Sequence, residues 1–574
     1  MGNARIAEIL EEIADMIEAY GEGGAFEVKA YRKAAQEIES LQDDIAEIYS
    51  EDGLEGLMKI PGVGKGIAGK IEEYLKTGKV RKHESMKKKH PIDFASLTKI
   101  QGIGAKTSAR LYDALGIAGL AELKEAVANH KIRELEGFGQ ESEERMRKGI
   151  EIFESGSGRV LLSVGLLEAE ALLRQLASSG FAERAEVAGS ARRMRETLGD
   201  IDILVASEHP DKVMEFAGKM HGVSEVMLKG PTKTTLRLGS GINCDIRVVD
   251  PGCFGAAMQY FTGSKEHNVA VRQIAARKGY KLNEYGLFDR NEKMLAGRDE
   301  KGIYARLGMD YTEPEMREDR GEVELALKHG IYPLVEIGDI RGDLHVHSKF
   351  SDGDSSIDEM AGEAARIGLE YIGFTDHSKA ERVANGMDEA KFTRYSMEID
   401  NARKKYSGAI EILKSAETDI LKDGSLDFSR KALEEMDYVM AAVHTSITMP
   451  RKEMTRRIVK CIESNMVDLL AHPTDRIIGR RQQIDADWEE IFDSAKKHGV
   501  AMEIDSFPER LDLGDEKVAQ ARQMGLQFSV DTDSHSRGHF RFLRYGVGTA
   551  RRGWLPKEEV INTLSFKSLS ERFG

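Results

Sequence analysis

The chain has 574 residues, 41% of them hydrophobic, so it can build several cores, and its length predicts about three to four domains. The formal net charge of −15 argues against nucleic-acid binding by the chain as a whole. Three cysteines without a C-x-x-C spacing argue against a disulfide framework or a thiolate zinc site. The N-terminus lacks an apolar signal core and no run reaches about 18 apolar residues, so we expect a cytoplasmic protein without a membrane span.

Residues 1–155 show helical periodicity only, and a glycine turn recurs within them. The turn glycines Gly62, Gly102 and Gly137 are 40 and 35 residues apart, which indicates an array of small helical motifs. The first turn, "PGVGKGIAGK", nearly matches the P-loop pattern G-x-x-x-x-G-K-[ST]. However, residue 71 is Ile, which offers no hydroxyl to Mg²⁺, and no buried strand precedes the turn.

The turns resemble the helix-hairpin-helix motif, in which glycine lets the backbone approach a nucleic-acid phosphate. Residues 57–90 carry ten Lys/Arg against three Glu, a local charge of +7, which suits a surface that faces DNA. The alternatives are turns that only join helices and a basic face that is only solvated. The third copy is acidic after its turn, which fits packing alone. The resemblance implies DNA contacts at Gly62, Gly64, Lys65, Gly102, Gly104 and Lys106.

Strands and helices mix from about residue 156 to 315, and the polar stretch "EPEMREDRGEVE" that follows predicts a linker helix. From about residue 335 to the end, short apolar strands alternate with helices. This pattern is typical of a βα barrel.

The stretch "GSARRMRETLGDIDILV" combines a glycine turn, arginines and two carboxylates. Asp200 and Asp202 are two residues apart on a predicted strand, so they share one face. Asp245 lies on a second strand, in "NCDIRVV", that is able to pair beside the first. Three such carboxylates are able to hold two Mg²⁺ or Mn²⁺ ions. A D-x-D pair alone is weak support, but here the Gly189–Ser190 turn and Arg192/Arg193 add amides and charge for a triphosphate.

Nine His, Asp and Glu residues cluster at predicted strand ends after residue 340. The C-terminal rim of a βα barrel is where sites form, and nitrogen and oxygen ligands without thiolate suit Zn²⁺, Mn²⁺ or Fe. A single histidine is more often a core residue, but nine ligands together favour a metal site. They are His345, His347, Asp352, His377, Glu417, His444, His472, Asp533 and His535.

Over nearly its whole length the chain resembles the family X DNA polymerases of bacteria and archaea that carry a C-terminal PHP domain. "YFTGSKEHNVAVR" is similar to the thumb signature of that family. One departure is Asn243, which stands where beta-type members have an arginine. The resemblance implies dNTP contacts from Gly189, Ser190, Arg193, Gly199, Gly263, Tyr260 and Phe261, a minor-groove contact from Asn268 and a template contact from Arg272.

The nine barrel residues resemble the ligand set of the PHP phosphoesterases, which holds three metal ions. The resemblance implies Zn²⁺ and/or Mn²⁺ and a 3′→5′ exonuclease, with abasic-site or 3′-end cleavage as further activities left open. The alternative is a relic domain kept for structure, but a relic is expected to have lost ligands.

The N-terminal region also resembles the small lyase domain of beta-type polymerases. Lys70 falls where those enzymes place the amine that forms a Schiff base with a 5′-deoxyribose phosphate, and Tyr31 matches as well. Glu27 and Gly66 depart from the pattern, since each stands where a phosphate-binding lysine is expected. The lyase stays open, whereas binding of a DNA 5′-phosphate is the firmer expectation.

The sequence therefore predicts a multidomain repair enzyme that fills short gaps in DNA from dNTPs. It has an all-α helix-hairpin-helix region, an α+β nucleotidyltransferase palm and thumb, and a distorted TIM-like PHP barrel. We expect a monomer that binds gapped or nicked DNA with a 5′-phosphate. The rivals are a nuclease whose weak palm only positions DNA, and a non-enzymatic DNA-end scaffold. The predicted boundaries are 1–90 (end-binding), 91–155 (fingers), 156–250 (palm), 251–317 (thumb), 318–335 (linker) and 336–574 (PHP).

Overall fold

The computed structural model describes residues 3–21, 23–41, 44–98, 100, 103–156 and 158–574. None of the helices described there is long and apolar enough to cross a membrane. The helices are α1 (Asn3–Tyr20), α2 (Ala25–Ser40), α3 (Ile45–Met58), α4 (Lys65–Thr77), α5 (Arg81–Lys89), α6 (Phe94–Leu97), α7 (Ala105–Leu115), α8 (Leu120–Ala128), α9 (Gln140–Gly156), α10 (Leu162–Ser178), α11 (Gly189–Arg192), α12 (Pro210–Ala217), α13 (Phe254–Thr262), α14 (Lys265–Arg277), α15 (Glu300–Arg306), α16 (Glu322–Leu327), α17 (Ile357–Arg366), α18 (Glu389–Lys405), α19 (Arg430–Glu434), α20 (Arg451–Ile462), α21 (Trp488–His498), α22 (Asp515–Gln523), α23 (Leu543–Arg552) and α24 (Phe566–Phe573).

The strands begin only after these first nine helices. They are β1 (Val160–Leu161), β2 (Arg184–Val187), β3 (Thr197–Leu198), β4 (Asp200–Ala206), β5 (Val223–Lys229), β6 (Lys233–Leu238), β7 (Asn243–Val249), β8 (Lys281–Asn283), β9 (Gly286–Phe288), β10 (Met294–Ala296), β11 (Gly342–Val346), β12 (Tyr371–Phe374), β13 (Glu411–Lys414), β14 (Glu417–Asp419), β15 (Met440–Ala442), β16 (Leu469–Leu470), β17 (Ala501–Asp505) and β18 (Phe528–Asp531).

The chain divides into two compact units. The first comprises Met1–Val187, Thr197–Pro251 and Ile478–Gln482, and the second comprises Ala188–Glu196, Gly252–Ile477 and Gln483–Gly574.

The helical part of the first unit is organised around α1, which packs against α2, α5, α6 and α7. Ile13 and Ala14 of α1 and Ala34 of α2 are fully buried, as the apolar periodicity predicts. The turn between α3 and α4 holds Gly62 at a φ of 75°, and a Cβ there would lie 2.9 Å from Cγ of Lys33. Glycine is therefore required at this turn both by backbone conformation and by space.

The sheet of the first unit has the strand order β2-β4-β7-β6-β5. β4 and β7 are parallel, and the remaining pairs are antiparallel. Ile201 and Ile203 of β4 are fully buried. The residues between them point to the opposite face, because side chains alternate along a strand.

The second unit contains a small α+β region followed by a barrel. The small region packs Val271, Leu287 and Tyr304 into one core, around α13–α15 and the β10-β9-β8 sheet. Ser264 starts α14 by accepting a hydrogen bond from the backbone N–H of His267.

The barrel is built from two parallel sheets, β11-β12-β13 and β14-β15-β16-β17-β18. Single bridges between Val346 and Ser534 and between His377 and Glu417 join the sheets. The carboxyl ends of the strands therefore gather at one rim, which is where the predicted ligands were placed.

The prediction of one linker helix over "EPEMREDRGEVE" is wrong, because the segment is not a continuous helix. The segment makes a 3₁₀ turn at Pro314–Met316 and then the short α16. Arg317 and Glu322 are fully buried, because Arg317 pairs with Glu300 and Glu322 pairs with His267. These charges of the polar stretch meet partners from other elements of the second unit.

Candidate metal centres

The three carboxylates predicted for the palm come together on two neighbouring strands. Asp202 and Asp245 are register partners on the parallel strands β4 and β7, and Asp200 lies two residues before Asp202. Burial and the neighbouring charge of Asp200 raise the pKa of Asp202 to about 6. Crowded carboxylates of this kind fit a site for divalent cations, which relieve the repulsion and prefer oxygen ligands.

Three side chains around Asp245 were missed from the sequence. Nζ of Lys233 lies 2.7 Å and a guanidinium nitrogen of Arg247 3.1 Å from one carboxylate oxygen, while the hydroxyl of Thr235 donates to the other at 2.5 Å. Lys233 and Thr235 reach Asp245 from β6, and only a strand alignment reveals that approach. Arg247 sits two residues after Asp245, and the two-residue period of the strand was a usable signal for it.

Asn243, the departure from the beta-type pattern, pairs with Asp200 across the strands. Its side-chain oxygen is buried without a hydrogen-bond partner among the described residues. The guanidinium beside Asp245 thus comes from Arg247 instead of residue 243.

The segment predicted to bind the triphosphate starts with Gly189, which has a φ of 61° and opens α11. Ser190 follows as a half-buried residue. Nε of Arg193 lies 3.1 Å from Glu318, and Nη1 donates to the carbonyl of Thr262. A Cβ at Gly263 would lie 3.0 Å from Nη1 of Arg193, so glycine leaves room for this guanidinium.

The predicted sugar and base contacts cluster on α13 and α14. The rings of Tyr260 and Phe261 meet edge to face with centroids 5.0 Å apart. Asn268 is buried, donates to the carbonyl of Tyr260 and accepts from Gln259. Nε of Arg272 donates to the carbonyl of Asn268 at 3.3 Å. Internal bonds therefore hold the Asn268 side chain in this structure.

Gly199 lies in the first unit, directly before β4. A Cβ at this position would be 3.1 Å from a guanidinium nitrogen of Arg159.

All nine predicted barrel ligands converge. Potential ligand atoms lie within 4.8 Å of one another in each of four overlapping groups, and His345, His347, His377 and Glu417 each belong to two of them. The groups are His347, Asp352, His377 and His535; His345, Glu417 and His472; His345, His347 and Asp533; and His377, Glu417 and His444.

Glu417 is the centre of this barrel cluster. Both of its carboxylate oxygens are buried and lack a hydrogen-bond donor among the described residues. They nevertheless lie 2.7 Å from Nε2 of His472, 2.8 Å from Nδ1 of His377 and 3.0 Å from Nε2 of His444. An orphaned buried carboxylate ringed by imidazoles fits a site for divalent ions.

The environment keeps part of the cluster neutral. Burial and the neighbouring His535 and His377 lower the pKa of His347 to about 3. Burial and the charge of Arg510 lower the pKa of His472 to about 4. Neutral imidazoles offer a lone pair to a metal at physiological pH.

A second layer of carboxylates, which the sequence did not single out, contacts the predicted ligands. Glu503 lies 2.6 Å from Nδ1 of His345, and Asp419 accepts a bond from the backbone N–H of His444. The strand "VAMEID" contained Glu503 at an inward position, but nothing in the sequence paired it with His345.

In the first predicted hairpin, Gly64 is the extended residue before α4, and Lys65 is exposed. Nζ of Lys70 donates to the carbonyl of Gly66 and lies 5.5 Å from the ring centroid of Tyr31.

Both departures from the lyase pattern make contacts in the structure, Gly66 through its carbonyl to Lys70 and Glu27 through its carboxylate. Glu27 pairs with Lys82 at 2.6 Å, and Lys82 itself lies 5.1 Å from the ring centroid of Tyr31. A lysine from α5 thus stands beside the ring that also neighbours Lys70.

In the second hairpin, Gly102 lies outside the described residues, whereas Gly104 precedes α7 and Lys106 is exposed. In the third, a guanidinium nitrogen of Arg110 lies 3.1 Å from the Cβ position of Gly137 and donates to the carbonyl of Glu136. Arg110 thus occupies the third turn, in keeping with packing there.

Together, these elements define a metal-dependent nucleotidyltransferase joined to a phosphoesterase barrel. Comparison with protein families agrees. A helix-hairpin-helix domain family matches residues 1–80, a SAM-like helix-hairpin-helix tandem family 94–151, the DNA polymerase beta thumb family 257–318 and the PHP domain family 343–506.

Relatives match both the whole chain and its parts. DNA polymerase/3'-5' exonuclease PolX of Bacillus subtilis is 35% identical over 571 residues, 98% of each chain. A probable phosphatase of Caldanaerobacter subterraneus is 29% identical over 38% of this chain and 86% of its own length. DNA polymerase lambda of Rattus norvegicus is 26% identical over 55% of this chain and 56% of its own. The solved structure of Leishmania infantum polymerase beta is 25% identical over 39% of this chain and 97% of its own, with a TM-score of 0.26.

The chain belongs to the family X DNA polymerases that carry a C-terminal PHP domain. It is a DNA-directed DNA polymerase with a phosphoesterase barrel, and the predicted fold class is confirmed.

Proposed function

We propose that this polymerase fills short gaps in DNA at Asp200, Asp202 and Asp245, and trims 3′ ends in a separate metal centre of the PHP barrel. The observation that carries the first activity is the pairing of Asp202 with Asp245 on parallel strands. This pairing gathers three carboxylates at one edge of the sheet, where metal binding relieves their repulsion.

The palm carboxylates hold two Mg²⁺ or Mn²⁺ ions in this proposal. When bound, the ions supply charge that activates the primer 3′-hydroxyl and stabilises the leaving pyrophosphate. Lys233 and Arg247 hold one oxygen of Asp245 and thereby fix its orientation.

The dNTP is bound by a second set of residues. Ser190, Arg193 and the glycines Gly189, Gly199 and Gly263 bind the triphosphate. Tyr260 and Phe261 line the sugar, Asn268 turns from its internal bonds to the base edge, and Arg272 binds the template.

The PHP cluster holds up to three ions, Zn²⁺ and/or Mn²⁺, through its nine ligands. When bound, such ions polarise a phosphodiester and lower the pKa of water for its attack. The matching activity is 3′→5′ exonuclease, which extends to abasic-site cleavage or 3′-end processing in the broader form of the proposal. The Bacillus subtilis relative carries both polymerase and 3'-5' exonuclease in its name.

The helical region binds the 5′-phosphate side of a gap. Gly62, Gly64 and Lys65, with Gly104 and Lys106 of the second hairpin, offer backbone amides and exposed cations. We infer the partner to be gapped or nicked DNA with a 5′-phosphate, bound by a monomer with the domain boundaries predicted from the sequence.

A 5′-deoxyribose-phosphate lyase at Lys70 is a second candidate function. Its support is the position of Nζ 5.5 Å from the ring centroid of Tyr31. Against it, Glu27 is bound to Lys82 where the lyase pattern has a lysine.

Primer extension on a one-nucleotide gap, with Mg²⁺ and then Mn²⁺, tests the main proposal. Incorporation of the templated dNTP, together with 3′ trimming when dNTPs are withheld, is the expected result. Trimming without incorporation would favour the nuclease rival, and neither reaction would favour the scaffold.

A further inference from the structure

The segment from Ala188 to Glu196, which carries Ser190 and Arg193, belongs to the same compact unit as the PHP barrel. The strands that flank it in the chain, β2 before it and β3 and β4 after it, belong to the other unit. The contacts of the segment explain why it belongs to the second unit, because the barrel contacts it at three of its residues.

The first contact is made by Arg552 at the end of α23. Its side chain is 4% exposed, and Nη1 donates to the carbonyl of Arg193 at 2.7 Å. The same nitrogen lies 2.8 Å from Oε1 of Glu318, and Nη2 lies 2.7 Å from Asp515. Oε1 of Glu318 also accepts from Nε of Arg193 at 3.1 Å. Arg193 and Arg552 therefore share one carboxylate oxygen.

The second and third contacts fix the residues that follow. Met194 has a φ of 53° and packs on Gly548 of α23. A Cβ added at Gly548 would lie 3.1 Å from Cβ and 2.5 Å from Cε of Met194. Glu196 pairs with Arg476 of the barrel at 2.8 Å. The barrel thus holds the segment by its backbone, by an apolar side chain and by a charged side chain.

We propose that the PHP barrel positions the nucleotide-binding segment of the polymerase, and that Arg552 sets how Arg193 meets the triphosphate of the incoming dNTP. The proposal rests on the role given above to Arg193. Arg552 acts through Arg193 and does not touch the nucleotide, so it is a positioning residue.

The physical basis is competition for Glu318. Arg193 and Arg552 share Oε1 of Glu318, and Arg195 lies 3.7 Å from Oε2. A carboxylate shared by several guanidiniums holds each of them less tightly than it would hold one alone. With Arg552 present, Arg193 is able to leave Glu318 for a triphosphate while its carbonyl stays anchored. Without Arg552, Glu318 retains Arg193, and the carbonyl of Arg193 loses the hydrogen bond that the Arg552 guanidinium donates.

The test measures dNTP KM and kcat in single-nucleotide gap filling by the full chain. We expect Arg552→Ala to raise the KM for dNTP about tenfold, while kcat changes much less. Exonuclease activity and PHP-bound metal are expected to stay at wild-type levels. Arg551→Ala is the matched control, because Arg551 is the next residue on α23 and pairs with Glu315 without touching the segment. Its KM is expected to match the wild type.

Two further variants separate positioning from folding. Glu318→Gln in the Arg552→Ala background removes the charge that retains Arg193, so it should recover much of the lost dNTP affinity. Gly548→Ala keeps Arg552 but crowds Met194, so it should also raise KM. It serves as the second test where Arg552→Ala lowers protein yield.

An unchanged KM in Arg552→Ala would overturn the proposal, and so would an equal rise in Arg551→Ala. If Glu318→Gln did not lower the raised KM of Arg552→Ala, competition for Glu318 would be refuted as the physical basis. Absence of gap filling by the wild type would instead refute the proposed function, and the inference would fall with it.

Discussion

Oε1 of Glu503 lies 2.6 Å from Nδ1 of His345, and both side chains are fully buried. The second oxygen of Glu503 accepts the backbone N–H of His472. One carboxylate on β17 therefore contacts two predicted ligands of the barrel cluster. Nε2 of His345 is left facing His347 at 3.1 Å and Glu417 at 3.6 Å.

Replacing Glu503 is expected to weaken the PHP centre without removing a ligand. Carboxylates that orient ligating histidines typically contribute about 10–100-fold in metal affinity or activity. We expect Glu503→Gln to lower affinity for Mn²⁺ and exonuclease activity by about that factor, measured by metal titration and by a labelled-primer assay. Gap filling should be unaffected. Glu571→Gln, at an exposed position of α24, is the control, and equal loss in both variants would contradict this role.

The palm carboxylates should be separable from the nuclease. We expect Asp202→Ala, and likewise Asp200→Ala or Asp245→Ala, to reduce nucleotide incorporation on the order of 10³-fold or more, because metal-held charge stabilises the transition state. Exonuclease activity should persist. Asp211→Ala, at the exposed start of α12, is the matched control. Loss of both activities in folded Asp202→Ala would contradict two separate centres.

The reverse separation is expected from the barrel. His345→Ala combined with His347→Ala should remove bound metal and exonuclease activity while gap filling continues. Metal content and the two assays check this result on one preparation. His498→Ala, a histidine outside the cluster that bonds Asn465, should change neither. Full nuclease activity in the metal-depleted double variant would refute the assignment of the PHP site.

Glu300 gives a pH dependence to the stability of the thumb. Burial raises the pKa of this carboxyl, but the charges of Arg317 and Arg192 outweigh burial and lower the pKa to about 2. The folded-state pKa is thus below the unfolded value of about 4.3, so the carboxylate stabilises the fold above that pH. This contribution is lost as pH falls from there toward the folded-state pKa.

We therefore expect Glu300→Gln to lower the free energy of unfolding at pH 7 by about 3 kcal/mol, with the difference narrowing as pH drops below about 4. Urea unfolding of both proteins at several pH values measures it. Glu324→Gln, on the exposed face of α16, is the control. A difference that does not depend on pH would contradict the electrostatic origin.

Much of both centres was predictable because their chemistry repeats along strands. The two-residue period placed Asp200 and Asp202 on one face, and β4 pairing with β7 adds Asp245. Glu503 and Lys233 were not predictable, since their partners come from other strands. Buried Arg317 was missed for the same reason, because local polarity does not reveal a distant carboxylate.

Recognition of a 5′-phosphate by the first hairpin also has a direct test. Gapped DNA with a 5′-phosphate is expected to bind about tenfold to a hundredfold tighter than the same DNA without it, with a strong salt dependence. Gly62→Val should weaken this preference, because its side chain meets Lys33. Equal affinity for both DNAs would refute the phosphate site.

Borohydride trapping on gapped DNA that carries a 5′-deoxyribose phosphate tests the lyase hypothesis. An adduct lost in Lys70→Ala would support it. If the wild type forms no adduct, the helical region binds the 5′-phosphate but has no lyase activity.

The bond from Arg552 to the carbonyl of Arg193 joins residues 359 positions apart in the chain. At about 5–20 residues per second, a ribosome takes roughly tens of seconds to travel that distance. The 188–196 segment of a nascent chain therefore lacks this anchor until the last turn of α23 has been synthesised. Because Asp533 and His535 are also made late, the predicted ligand set of the PHP barrel and the anchor of the 188–196 segment are completed in the same final stretch of synthesis. We therefore expect a chain that terminates before Asp533 to lack part of the predicted PHP ligand set and the Arg552 anchor together.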